Sequence, residues 1–318
     1  MPSLIRFRSL AFALAAGALV LLLIPAAAVA ANWTVPGQFA TIQAAVDSPL
    51  VVAGDRILVS PGDHAGAQVI KAVEIRGTGG ARIVSGPVHP FGFVYGFLIG
   101  AAADGAGGDG VIIRNLTFTA DVDLPVFSRG ANNVTVSHNT ILNTLQGITN
   151  RGGKRWDISH NKFIDLRTFC GGGIAIILTD TQGRDVRDNL VAHNVVSGTL
   201  HVAPGDCGGY QGTGIVLYAD FRYGFLGASS IAYNQVVKNS VSLVSDNPSL
   251  VDVAAFEMTD TRDTPTPAVI HDNAVGFNDF RGTAQQIVLN PASLDAINTI
   301  SRNLGENRGH GVHPRAFH

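Results

Sequence analysis

The chain has 318 residues, of which 46% are apolar and 14% are charged, and its formal net charge at pH 7 is −2. The apolar fraction excludes an intrinsically disordered chain, and the slight acidic excess argues against a nucleic acid as the partner. Low charge together with 37 glycines is instead typical of stacked strands joined by tight turns.

Residues 1–31 have the features of a targeting segment. Arg6 and Arg8 precede an apolar run that ends at Pro25, and a small-residue cleavage site follows at Ala28–Ala30. We expect cleavage and export, which would make the mature protein secreted, periplasmic or attached to the cell surface. The length of the apolar run leaves an uncleaved membrane anchor open. No second apolar stretch is long enough to span a bilayer, so we predict no stable membrane insertion after cleavage.

A short helix is expected after Thr41, which is a candidate N-cap. Ile42, Ala45 and Val46 would lie on one face of this helix. An amphipathic helix of this kind can cover the open apolar end of a stack of strands, where an exposed edge would otherwise invite aggregation.

An eight-residue pattern organises the rest of the chain. The stretch V-T-V-S-H-N-T-I at Val134–Ile141 recurs as W-D-I-S-H-N-K-F at Trp156–Phe163, with looser copies before and after. Alternating apolar residues indicate strands with one buried face. A short strand pair cannot bury that face alone, so the copies must stack. We expect the asparagines of the copies to form one hydrogen-bonded ladder. They are Asn115, Asn139, Asn161, Asn194, Asn234, Asn273 and Asn303.

The chain resembles the right-handed parallel β-helix, or pectin-lyase-like, superfamily. The resemblance rests on the Asn-centred repeat over residues 111–305 and on the opening W-T-V-P-G-Q-F-A-T-I-Q-A-A-V-D at Trp33–Asp47. It implies an all-β fold, a single-stranded right-handed parallel β-helix (β-solenoid) over residues 32–309 with a short N-terminal capping helix. Residues 310–318 would form a C-terminal tail, and we expect a monomer. The resemblance specifies no reaction.

Three similar segments place Asp180, Asp220 and Asp260 at intervals of 40 residues. If this is the coil period, the carboxylates lie about 4.8 Å apart on adjacent strands. Three like charges at that spacing repel one another unless a cation offsets them. A bound Ca²⁺ would do so, because it prefers carboxylate oxygens, and neighbouring arginines would do so too. The alternative is that each Asp simply starts a turn after its strand.

Calcium would suit an acidic polysaccharide as the partner. A metal that bridges the protein to a uronate carboxylate makes the sugar C5 proton more acidic, and a nearby side chain can then start β-elimination. Pectate-lyase-type enzymes of the β-helix fold are similar to this scheme. The catalytic candidates are Arg222, Arg262 and Tyr223, and the substrate-binding candidates are Tyr218 and Glu257.

The sequence leaves two classes of function open and favours the first. The first is an exported, lyase-like enzyme that acts on an acidic polysaccharide, and the second is a non-catalytic β-solenoid that binds carbohydrate or a surface. A histidine stripe adds a further alternative, because His138, His160 and His193 each precede a repeat asparagine. Stacked imidazoles can bind a transition metal, and the stripe resembles that of periplasmic β-helix proteins that help to assemble a copper site. Otherwise these residues are exposed turn histidines.

Cys170 and Cys207 are the two cysteines of the chain, and each precedes a pair of glycines. Their spacing is close to the local repeat, so neighbouring coils would bring them together. In an exported protein we expect them to form a disulfide. A catalytic cysteine is not indicated, because no partner residue is recognisable.

Overall fold

The computed structural model describes residues 30–101, 107–309 and 314–316. The predicted targeting segment therefore lies almost entirely outside the described residues, and so does most of the predicted tail. Among the described residues, no helix combines the length and the apolar character that a membrane crossing requires.

The strands pair in parallel into sheets that run along the axis of a solenoid. Sheet A consists of Asn32–Val35, Arg56–Val59, Glu74–Gly77, Ile112–Arg114, Thr135–Ser137, Asp157–Ser159, Leu190–Ala192, Gln235–Val237, Ala274–Gly276 and Thr299–Ser301. Sheet B consists of Gly62–Ala65, Ala81–Ser85, Thr117–Phe118, Thr140–Thr144, Lys162–Arg167, Val195–His201 and Ser240–Ser245. Sheet C consists of Ala67–Val69, Tyr95–Ile99, Leu124–Ser128, Gln146–Arg151, Ile174–Asp180, Tyr210–Ala219, Val251–Asp260, Gln285–Asn290 and Arg308–Gly309. The short sheet D consists of Asp185–Arg187, Ser230–Ala232 and Ile270–His271.

One coil passes through sheets A, B and C before the chain returns to sheet A. Thr135–Ser137, Thr140–Thr144 and Gln146–Arg151 form such a coil, and Asp157–Ser159 then pairs with the first of them. Apolar side chains from all three sheets fill a continuous core. The predicted all-β parallel β-helix is therefore confirmed.

The predicted capping helix is present at Ile42–Asp47. The hydroxyl of Thr41 accepts a hydrogen bond from the backbone nitrogen of Ala44 at 3.1 Å, which satisfies one of the free donors at the helix start. Ile42, Ala45 and Val46 are fully buried. The helix thus covers the apolar end of the solenoid. Short 3₁₀ helices occur at Arg222–Gly224 and Ala292–Ile297.

The asparagines form two ladders, and the prediction of a single ladder was wrong. In each rung, a side-chain oxygen accepts hydrogen bonds from the backbone nitrogen and the amide nitrogen of the asparagine one coil before it. The first ladder contains Asn139, Asn161, Asn194, Asn239, Asn278 and Asn303. The second contains Asn189, Asn234, Asn273 and Asn298.

The second ladder exists because sheet D adds another corner to the later coils. Asn234 follows a sheet D strand and begins the turn into sheet A, whereas Asn239 begins the next turn, into sheet B. Asn115 belongs to neither ladder. It is exposed with φ of 58°, and the backbone nitrogen of Leu116 donates to the Asn139 oxygen instead. A count of asparagines in sequence cannot separate the two corners.

Candidate functional site

The three predicted carboxylates lie at the same end of sheet C, but they are not in register. Asp180 and Asp260 each end a strand of this sheet. The residue in register between them is Ala219, and Asp220 lies one position further along the chain. The evenly stacked row that the equal spacing predicted is therefore not formed. Register, and not residue count, decides which side chains meet across paired strands.

Asp220 and Asp260 are buried, and each is bound by the arginine two residues later. Asp220 Oδ1 accepts from the backbone nitrogen of Arg222 at 3.0 Å and from its Nε at 2.9 Å. Arg262 makes the same pair of bonds to Asp260 Oδ1, also at 3.0 and 2.9 Å. Each pair closes a turn and neutralises a buried carboxylate, as charge-assisted bonds do.

The same Asp-x-Arg turn recurs on an exposed part of the solenoid. Asp279 Oδ1 accepts from the Arg281 backbone nitrogen at 3.2 Å and from its Nε at 3.0 Å. Asp180 is bound by Arg184, whose Nη2 lies 2.8 Å from Asp180 Oδ1. Among the described residues, no group of three His, Cys, Asp or Glu side chains is placed to hold a metal ion. Arginines, the alternative to calcium, thus offset the carboxylate charges in this structure.

The two candidate catalytic arginines are held in their charged form. Burial lowers the pKa of Arg222, but its hydrogen bonds to Asp220 and its electrostatic interactions with Tyr218, Asp220 and Tyr223 together raise the pKa above its usual value. The hydrogen bond to Asp260 raises the pKa of Arg262, and its guanidinium lies 4.0 Å from the centre of the Phe221 ring. A guanidinium in such a pair is a poor proton acceptor. The geometry therefore favours recognition of an anion over proton abstraction for both residues.

Tyr218, a candidate for substrate binding, is fully buried. Its hydroxyl oxygen lies 3.1 Å from both Asp220 Oδ2 and the carbonyl oxygen of Pro314, which share its single proton, and it accepts from Arg222 Nη2. Burial and the neighbouring Asp220 carboxylate raise the pKa of Tyr218 well above its usual value. The C-terminal residues 314–316 therefore separate this phenol from solvent, which argues against direct contact with a substrate in this state.

Glu257, the other candidate for substrate binding, is also fully buried. It lies in register with Val216 on sheet C. Its carboxylate accepts from Gln211 Nε2 at 2.7 Å, from Thr213 Oγ1 at 3.0 Å and from Thr259 Oγ1. Burial raises the pKa of Glu257 to about 7, although these three bonds oppose the rise. The side chain is therefore enclosed by its neighbours on sheet C and does not reach solvent.

A cavity of about 350 Å³ lies beside the half-buried Arg222, which contacts the buried Tyr218. Aromatic side chains dominate its wall. Phe91 and Tyr223 are strongly exposed residues, at 81% and 75%. The lining residues are His89, Phe91, Phe93, Cys170, Asp220, Arg222, Tyr223, Phe225, Arg315 and Ala316.

Of the predicted site residues, the cavity brings together Asp220, Arg222 and Tyr223. The sequence reasoning missed the aromatic residues before the strand Tyr95–Ile99 and the C-terminal Arg315. The sequence could have indicated the aromatic residues, since F-G-F-V-Y over Phe91–Tyr95 is aromatic and glycine-spaced. No sequence pattern indicates Arg315, because its position depends on where the end of the chain folds back.

A family model described as a right-handed β-helix region matches residues 97–255, which is half of the chain. The chain belongs to the right-handed β-helix family. That assignment agrees with the stacked parallel strands and the asparagine ladders, and it carries no reaction with it.

A solved structure that is similar to this β-helix is that of rice weevil pectin methyl esterase. The two share 10% sequence identity with a TM-score of 0.38, and the match covers 87% of this chain and 84% of that one. No curated protein matches the sequence.

The β-helix contains the predicted disulfide between Cys170 and Cys207. The backbone nitrogen of Cys170 also donates to Asp206 Oδ2 at 2.9 Å, and Asp206 accepts from the hydroxyls of Thr168 and Tyr210. The bridge therefore fixes two loops that leave neighbouring coils. Since Cys170 lines the cavity, this fixed pair of loops also supports the cavity wall.

The histidine stripe lies on the corner between sheets A and B. His138, His160 and His193 are exposed, and their rings stack with centroids 4.8 and 4.9 Å apart and interplanar angles of 3° and 14°. All three have φ near 58°, the left-handed turn conformation. Parallel rings direct their nitrogens the same way, whereas a metal needs ligands that converge. The geometry favours stacked turn histidines.

Proposed function

We propose that this β-helix protein is exported and binds an acidic polysaccharide at the aromatic cavity. The observation that carries the proposal is the exposed pair of rings, Phe91 and Tyr223, in a cavity that also contains Arg222 and Arg315. Concave sites with apolar rings and a few polar groups are the usual form of small-ligand sites. A disulfide is typical of proteins outside the cytoplasm, which supports export.

The two kinds of lining residue recognise different parts of an acidic sugar. Exposed aromatic rings offer flat apolar faces on which the C–H faces of a pyranose ring can rest, and burying them contributes binding energy. An arginine fork matches the geometry of a carboxylate and gives a charge-assisted contact. A neutral sugar offers the arginines only hydroxyl oxygens, whereas a uronate offers a charged carboxylate, so the arginines favour a uronate or a similar acidic unit.

Lyase-type β-elimination is the second candidate, and one contact favours it. The phenol of Tyr223 is exposed in the cavity, and the Arg222 guanidinium lies 5.5 Å from the centre of its ring. A sugar bound in the cavity would meet this hydroxyl, whereas the guanidiniums of Arg222 and Arg262 are already paired with carboxylates. Tyr223 is thus a better candidate for the base than Arg222 or Arg262.

Binding is tested by calorimetric titration of purified protein with oligomers of galacturonate, alginate and glycosaminoglycan, and with a neutral oligosaccharide as a reference. Tyr223→Ala and Arg315→Ser should each weaken binding of the acidic ligand by about tenfold, which corresponds to about 1.4 kcal/mol. The matched controls are Tyr233→Ala, an exposed tyrosine with the same left-handed φ, and Arg302→Ser, another exposed arginine.

Absence of binding to every acidic ligand would refute the proposal. Equal losses in the control variants would show that the cavity is not the site. Elimination is read separately, at the absorbance of the unsaturated product. If binding occurs without product, the protein is a binding solenoid. If product forms and Tyr223→Phe abolishes it while binding is kept, the lyase function is supported.

A further inference from the structure

Three arginines gather at the end of sheet C where Asp180 lies. We name Arg129, Arg151 and Arg184 the arginine cluster. Ser128 pairs with Asn150, which places the next residues, Arg129 and Arg151, side by side at the ends of adjacent strands. Arg184 comes from the next coil and donates through Nη1 to the carbonyl oxygen of Arg129.

Two glycines let this packing occur. A side chain at Gly130 would place its Cβ 2.5 Å from Arg184 Nη1, and one at Gly152 would place it 2.6 Å from Arg184 Nε. Both glycines have positive φ, of 130° and 80°. Arg184 therefore lies in a space that larger residues would fill.

The positive charge of the cluster exceeds the negative charge that neutralises it. Within the described part of the chain, the carboxylate bound to the cluster is Asp180, which accepts from Arg184 Nε at 3.1 Å and from its Nη2 at 2.8 Å. Arg151 is only 5% exposed. Burial lowers the pKa of Arg151 to about 10, and repulsion from Arg129 and Arg184 adds to this, while Asp180 opposes it. Such an arrangement is costly unless an anion offsets it.

Several donors of the cluster have no hydrogen-bond partner among the described residues. They are the Nε atoms of Arg129 and Arg151, together with the hydroxyl of Thr179, all of which are buried. Thr179 is fully buried and lies in register with Arg151 on the adjacent strand. Unpaired buried donors are uncommon in proteins, because each forfeits its hydrogen bond to water.

We infer that the arginine cluster, with Thr179, is a subsite for an oxyanion such as a carboxylate or sulfate group. The half-buried Arg129 and Arg184 leave an approach from solvent. An oxyanion there would accept the unpaired N–H and O–H groups and would neutralise part of the excess charge.

The subsite is connected to the cavity through aromatic contacts. The Tyr95 ring lies 5.7 Å from the ring of His89, which lines the cavity. The Tyr95 ring also packs against the Phe127 ring at 5.4 Å, and the Arg129 guanidinium lies 5.5 Å from the centre of that Phe127 ring. A chain bound in the cavity could thus place an acidic group on the cluster. The proposed function bears only on which molecule carries the acidic group. Oxyanion binding at the cluster does not rest on it.

The test is calorimetric titration at constant ionic strength with inorganic sulfate, galacturonate monomer and an acidic oligosaccharide as separate probes. Arg151→Met and Arg129→Met should each weaken sulfate binding by at least tenfold. Arg155→Met is the matched control, because Arg155 is exposed and donates to Asn133 on another edge of the solenoid. Arg151→Met should also raise the melting temperature without ligand, since it removes a buried cation that has two cationic neighbours.

The inference is overturned if the wild-type protein binds neither sulfate nor galacturonate, or if both cluster variants bind them as the wild type does. Sulfate binding that is lost only in the cluster variants supports it. Sulfate binding without binding of any acidic oligosaccharide keeps the subsite and rejects the proposed function. Stronger binding of galacturonate than of sulfate would identify the carboxylate as the preferred group, and the reverse would identify a sulfate ester.

Discussion

The side-chain oxygen of Asn161 accepts two hydrogen bonds from Asn139, from its backbone nitrogen at 3.1 Å and from its Nδ2 at 3.0 Å. Both residues are 1% exposed. One coil is thus tied to the next by polar groups inside an apolar core. Each rung satisfies a buried backbone donor at a corner where the chain leaves the sheet, which explains why asparagine occupies these corners.

Asn161→Ala should lower the free energy of unfolding by about 1–3 kcal/mol, because it leaves buried donors of Asn139 unpaired. Urea denaturation measures the change. Asn115→Gly is the control and should have little effect, since Asn115 is exposed, lies outside both ladders and has a positive φ that glycine adopts without strain. Similar losses for both variants would contradict the assignment of the ladder.

The disulfide should contribute measurably to stability. Its loop separates the two cysteines by 37 positions, and removing a bridge of that size costs about 2–4 kcal/mol in the chain-entropy model. We expect the Cys170→Ser, Cys207→Ser double variant to unfold at lower urea concentration than the wild type. Thiol counting under denaturing conditions should find no free thiol in exported wild-type protein. Two free thiols would reject the bridge.

Glu257 should make stability depend on pH. Its pKa in the folded protein is about 7, against an ordinary value of 4.5. As the pH rises between these values, the unfolded chain loses the proton before the folded protein does, so folding stability falls. The fall is on the order of 3 kcal/mol for such a difference. Below pH 4.5, Glu257 is protonated in both the folded and the unfolded state, so it no longer makes folding stability depend on pH.

Glu257→Gln should remove most of this fall, because the amide stays uncharged. Urea denaturation at a series of pH values between 4.5 and 7 measures it. Asp47→Asn serves as the control, since Asp47 is exposed. A wild-type profile that is flat over this range, or one that Glu257→Gln leaves unaltered, would show that Glu257 ionises normally in the folded protein.

The sequence predicted calcium binding at Asp180, Asp220 and Asp260, and a melting experiment can test that prediction directly. Each carboxylate already has an arginine partner, so a calcium ion would have to displace it. From this geometry we expect millimolar Ca²⁺ to leave the melting temperature unchanged relative to chelator. A rise that Asp220→Ala abolishes and Asp47→Ala keeps would restore the calcium site, since a ligand stabilises the state that binds it.

The sequence by itself determined the fold, because its signals are local. Strand alternation and the asparagine at each corner repeat within single coils, and the cap at Thr41 depends on its own neighbours. The disulfide was also predictable, since it joins two loops of adjacent coils. These features depend on short-range geometry, which the order of residues specifies directly.

Which residues meet at the candidate site, in contrast, follows only from the tertiary structure. The equal spacing of Asp180, Asp220 and Asp260 predicted a stack, yet strand register put Ala219 in line instead. The cavity joins Phe91, Tyr223 and Arg315, which are far apart in the chain. Loops between coils vary in length, so their residues meet only through the way each loop folds back onto sheet C. A repeat in sequence fixes the corners of a solenoid, whereas the contacts between its loops are set by packing in three dimensions.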